Sequence, residues 1–171
     1  MFTRMRGWLY WRGLDRRIRK RGWTGIHIFN AEKGVGWSYT VGLARHGWPE
    51  VVISGTSLET ADAVLAEMYR RLRSGELTIA EGESWTLPEW VTCAWRRVHP
   101  ERVDQGLVHF ATRDRWYQTR NPEMDVYQLV FPDEKLGRLP WEDGFDESFR
   151  RLQEELWLPP EAEEGAPKTL H

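Results

Sequence analysis

Side chains able to do chemistry are thinly spread through this chain of 171 residues. Ser38, Thr40, His46, Glu50 and Gln128 are polar groups set among apolar or small residues, and Trp37, Tyr39, Trp116 and Tyr117 could wall a cavity around them. Aromatic walls with a few convergent polar groups suit a small ligand. The competing use of Gly36 and Gly42 in the same stretch is to let a helix lie close to a strand. Asp133 follows Pro132 at the end of an apolar run. It reads either as a general acid or base, or as the organiser of a turn through Gly137, the commoner use. Gln128, an amide inside an apolar strand, must find partners if it is buried.

Other chemistries find less support. The single cysteine, Cys93, cannot form an internal disulfide or a thiolate zinc cluster, and no neighbour in sequence would activate it, so it reads as buried filler. His27, His46, His99 and His109 follow no metal-ligand spacing. No P-loop, GxGxxG, HExxH or GxSxG signature occurs. No cofactor or metal is expected, and whether the chain is an enzyme stays open.

The elements that must carry these residues follow from periodicity. Residues 23–30 alternate as a strand, and Ala31-Glu32-Lys33-Gly34 reads as a hairpin connection to a second strand over 35–43. That second strand has large residues at odd positions (Val35, Trp37, Tyr39, Val41, Leu43) and small ones at even positions (Gly36, Ser38, Thr40, Gly42). Alternation therefore predicts one crowded face and one nearly bare one. Val51 to Ser54 reads as a buried strand ended by Gly55. Thr56 and Glu59 have capping-box spacing before a helix with Leu58, Ala61, Val64, Leu65, Met68 and Leu72 on one stripe, stopped by Gly75. Residues 76–90 look irregular. Strands over 91–98 and 125–131 flank a short helical turn near Pro100 and a helix within 107–121. Asp146 is expected to cap a last helix carrying Phe149, Leu152 and Leu156 up to Pro159. The sum is one α+β domain, a mostly antiparallel sheet with helices packed on it.

Composition bounds the class. Hydrophobic residues make up 40% and charged residues 29%, a globular balance. No apolar run approaches the roughly 18 residues that span a bilayer. The run Gly7-Trp8-Leu9-Tyr10-Trp11 is too short for a signal-peptide core, so the cytoplasm is the expected compartment. The net charge of −2 hides an asymmetry: residues 1–24 carry +7 and residues 131–171 carry −6. Residues 1–22 read as a basic amphipathic extension with Trp8, Trp11, Leu14 and Ile18 on one stripe, residues 23–157 as the domain, and 158–171 as an acidic mobile tail. The extension either packs through its stripe or presents Arg12, Arg16, Arg17, Arg19, Lys20 and Arg21 to nucleic acid or a membrane surface.

Four stretches carry a likeness. Gly36-Trp37-Ser38-Tyr39-Thr40-Val41-Gly42-Leu43, Gly47-Trp48-Pro49-Glu50-Val51-Val52-Ile53-Ser54-Gly55, Tyr127 to Asp133, and Gly137-Arg138-Leu139-Pro140-Trp141 resemble the bacterial and phage DUF4262 family in order and spacing, over about residues 20–146. The resemblance implies a small soluble domain and no established reaction. A His-Gly pair often opens that family's domain; Arg21-Gly22 stands in its place here.

The leading expectation for function is a non-catalytic binding protein that holds a protein partner through exposed Trp, Tyr and Arg. A bacterial or phage accessory role in defence or counter-defence is compatible with the family's setting. The alternatives are a small-ligand or nucleotide-binding enzyme or sensor with its pocket beside residues 35–43, and a nucleic-acid binder using the basic arm with residues 113–120.

Overall fold

The computed structural model of the chain describes residues 2–30, 35–88 and 91–160. The hairpin connection at 31–34, the side chain of Trp8 and the tail from 161 onward lie outside the described residues. The chain is α+β, and its described residues form six strands in one sheet: β1 (Thr24–Asn30), β2 (Val35–Val41), β3 (Glu50–Ser54), β4 (Ser84–Thr86), β5 (Thr92–Arg97) and β6 (Val126–Val130). Their order is β1-β2-β3-β6-β5-β4, antiparallel throughout except for the parallel pair β3–β6. The helices are α1 (Phe2–Arg21), α2 (Leu58–Ser74), α3 (Pro100–Asp104), α4 (His109–Thr119) and α5 (Glu147–Arg150).

Alternation along the strands divides the core into two layers. Val51, Ile53, Cys93, Trp95, Leu129 and Phe131 pack with Ala61, Val64, Leu65, Met68 and Leu72 of α2. Tyr39, Val41, Val52 and Val126 pack on the other face with Leu14 and Ile18 of α1 and with Val108 and Ala111 at α4. The large side chains of β2 therefore face α1 and α4, and its small residues face the α2 side. The stripe on α1 is real packing: Leu14 and Ile18 are fully buried, which at about 25 cal/mol per Å² holds the helix to the sheet.

Several boundaries differ from the sequence expectation. β2 ends at Val41, because Gly42 turns left-handed at φ 110 and Leu43–His46 form a 3-10 turn. Leu43 consequently joins the α2 layer, away from Tyr39 and Val41. A Cβ on Gly42 would sit 2.7 Å from Cγ2 of Ile18, so this glycine makes room for α1 and not for α2. Ser57, not Thr56, caps α2, its Oγ accepting from the Thr60 amide at 3.1 Å. Leu58, at the first position of α2, stays 56% exposed. Within 76–90 a short strand, β4, pairs with β5. The last helix stops at Arg150, so Leu152 is exposed and Leu156 reaches the α1/α4 layer through a turn.

Candidate functional site

The bare flank of β2 is not roofed by α2. Gly36 and Ser38 open onto a groove of about 1390 Å³ bounded by the first turns of α2, by Leu87, Pro88, Val91 and Thr92 around the start of β5, and by 131–137 after β6. Ile28, Phe29, Ile53, Val64, Leu87 and Phe149 supply its apolar surface. Phe29 at the rim is 72% exposed. Among the described lining residues four are carboxylates (Glu59, Glu67, Asp133 and Glu134), and none is Lys or Arg. Arg70 and Arg71 already pair with Glu67 at 2.7–2.9 Å. Glu59 and Glu134 have no ion-pair partner among the described residues.

One polar chain crosses the floor. His27 and Ser38 face each other in the β1–β2 register, and Nδ1 of His27 lies 2.8 Å from Oγ of Ser38. Nε2 of the same ring is 3.1 Å from a carboxylate oxygen of Asp62 on α2. His27 entered the sequence reading only as one of the scattered histidines, and Asp62 did not enter it. A four-residue connection between positions 30 and 35 already places 27 opposite 38, so hairpin arithmetic was the signal available for His27. Asp62 has no such signal, because its position depends on how α2 crosses the sheet.

The residues anticipated as one pocket fall into five places. Trp37, Ser38 and Asp133 line the groove. Asp133 organises the turn that follows it: its carboxylate accepts from the amides of Lys135 (2.9 Å), Leu136 (2.7 Å) and Arg138 (3.2 Å). Those amides, Leu136 foremost, hold its carboxyl below the usual range. Tyr39 and Gln128 lie on the opposite face. Burial pushes the Tyr39 phenol up to about 12. Gln128 is satisfied by Glu154 O (2.8 Å), Ser54 Oγ (3.4 Å) and the Leu156 amide (3.0 Å), so it lashes the segment after α5 to the sheet. Trp116 and Tyr117 stand on the outer side of α4, each 43% exposed. His46 stacks on Trp48 with centroids 5.1 Å apart, its Nε2 3.0 Å from the Gly22 carbonyl. Cys93 is buried, and burial pushes its thiol up to about 12.

Thr40 and Glu50 form a buried fastener between β2 and β3. The Glu50 carboxylate accepts from Thr40 Oγ1 at 2.6 Å and from the amides of Gly42 and Ala44 at 2.9 and 3.0 Å. Thr40 Oγ1 in turn accepts from the Val51 amide at 2.8 Å, replacing a rung of the ladder. Burial pushes the Glu50 carboxyl up to about 7, against the pull of those three donors, with the nearby Asp114 charge adding to the rise. Glu50 is thus placed to hold the turn and is sealed from solvent, 1% exposed. Beside it Arg45 joins two helices: it donates to Asp114 at 2.8 and 2.5 Å and to Asp15 at 2.9 Å. Burial would raise the Asp15 carboxyl, but Arg45 and Arg19 outweigh it and hold the group below its ordinary value.

Fold and site together define a single-sheet α+β domain with an open, acid-rimmed groove, and no helix among the described residues is long and apolar enough to cross a membrane. The chain belongs to the DUF4262 family, a domain of unknown function, whose model matches residues 17–146. Neither a curated protein nor a solved structure matches it.

Proposed function

We propose that this chain is a non-catalytic binding protein whose groove beside β2 takes an extended peptide segment of a partner protein, apolar side chains inward and basic residues at the rim. The observation that carries the reading is the lining: mostly apolar, with carboxylates at the edge and no described Lys or Arg in a chain that has 24 of them. At about 1390 Å³ the space exceeds the roughly 300–1,000 Å³ usual for small-molecule pockets. A nucleotide suits it poorly, because no Lys or Arg among the described lining residues answers its phosphates. Glu59 and Glu134 favour a positively charged partner and penalise an acidic one.

The test is a fluorescence-anisotropy panel of apolar peptides of one length that differ only in charged positions, Lys/Arg against Asp/Glu. Basic members are expected to bind at least tenfold tighter, and Ala63→Trp, which fills the groove from an exposed position of α2, is expected to abolish binding. Preference for acidic members, or indifference to Ala63→Trp, overturns the reading.

A further inference from the structure

On the opposite face of the sheet, α1 and α4 lie side by side and bring together two segments far apart in the chain. Trp11 packs on Tyr117 with ring centroids 5.5 Å apart, and Tyr10 on Phe110 at 5.3 Å. Arg113 spans the seam, its guanidinium carbon 5.2 Å from the Trp11 ring and 5.6 Å from Tyr117. Arg120 rests over one face of Trp116 at 4.6 Å, yet that ring keeps 43% of its surface exposed.

The charge of this face is one-sided for a structural reason. The sequence of α1 contains one acid, Asp15, and that of α4 one, Asp114. Both carboxylates turn inward to Arg45, and Asp114 is buried. What remains outside is basic: Arg16, Arg17, Lys20 and Arg21 on α1, with Arg113 and Arg120 at α4, all exposed. Exposed aromatic rings on α4 with Arg113 and Arg120 against them, and further cations exposed on α1, match the two demands of an unpaired strand, stacking for its bases and neutralisation for its phosphates. A duplex hides its base faces and would leave Trp116 and Tyr117 unused. We infer that the α1–α4 surface binds single-stranded nucleic acid, with α1 arginines on phosphates and Trp116 and Tyr117 stacking bases. The surface is separate from the groove, so this inference and the peptide reading stand or fall independently.

The experiment is anisotropy of the full chain on labelled oligo-dT and oligo-U of about 20 nucleotides, against a duplex of equal length and against phosphatidylserine vesicles. With about four phosphates neutralised, single-strand affinity is expected to fall roughly 50-fold between about 50 and about 200 mM salt. Arg16→Ala/Arg17→Ala should reduce the slope of log affinity against log salt by about 1.4. Trp116→Ala should weaken single-strand binding roughly 5- to 100-fold while leaving that slope in place, and Trp116→Phe should restore most of the loss. An unchanged thermal midpoint in each variant separates these effects from unfolding. Absence of oligonucleotide binding, equal affinity for duplex with no response to Trp116→Ala, or binding to the vesicles in place of the oligonucleotides overturns the inference.

Discussion

Tyr39 and Val41 disappear beneath α1 and α4, with Trp37 half-buried and reaching the groove, whereas Gly36 and Ser38, their alternating neighbours on the same strand, look into a groove that α2 only partly covers. The two flanks also differ in charge: arginine and lysine outside the covered flank, carboxylates at the rim of the open one. A strand that alternates large and small residues sorts a domain into a flank that stabilises and a flank that receives, and a net charge of −2 conceals the separation.

If that division is right, equal truncations should cost unequal amounts. Leu14→Ala removes a fully buried side chain from the covered flank. We expect a loss of about 3 kcal/mol in urea unfolding, within the range for Leu→Ala in a core. A loss below about 1 kcal/mol would mean that α1 only rests on the domain, and the contrast would fail.

The junction between the flanks gives a second test of comparable size. Glu50 has an ordinary carboxyl value of 4.5 and is pushed up to about 7 in the fold. The folded chain therefore holds this proton more tightly than the unfolded one. Its contribution is fully present below about pH 4.5 and is lost as pH rises through about 7. The span corresponds to about 3 kcal/mol. Glu50→Gln keeps an acceptor for the Gly42 and Ala44 amides and should flatten the slope relative to the parent chain; identical pH profiles would show that the carboxyl does not titrate in this window. The smallest effect is expected on the open flank. Leu58→Ala, at a side chain 56% exposed on the groove, should move stability by less than about 0.5 kcal/mol while weakening peptide binding.

Much of this division could be read from the chain before any coordinates. The alternation over 35–41, the faces of β6 and the buried stripe of α2 are local patterns, and the structure keeps them. What failed locally failed for non-local reasons. β2 stops at Val41 because a carboxylate eight residues onward captures the Gly42 amide. Leu58 sits on the helical stripe yet stays exposed, because the groove lies beneath it. The scatter of the anticipated pocket residues has the same origin. Trp116 and Tyr117 share aromatic character with Trp37, but character does not say which side of a sheet a helix will cover. Three sets of lining residues, the start of α2, Leu87, Pro88, Val91 and Thr92, and 131–137, meet only through strand order, which no spacing in the sequence records.

The helix α1 has a practical meaning for where this protein can be cut. The family match begins at residue 17, inside that helix. A chain trimmed to that limit would lose Leu14 and Asp15, uncovering Tyr39 and Val41 and taking from Arg45 one of its two anionic anchors. An expression fragment drawn from the family limits alone would thus be missing part of its own floor, the turn of α1 that carries Leu14 and Asp15.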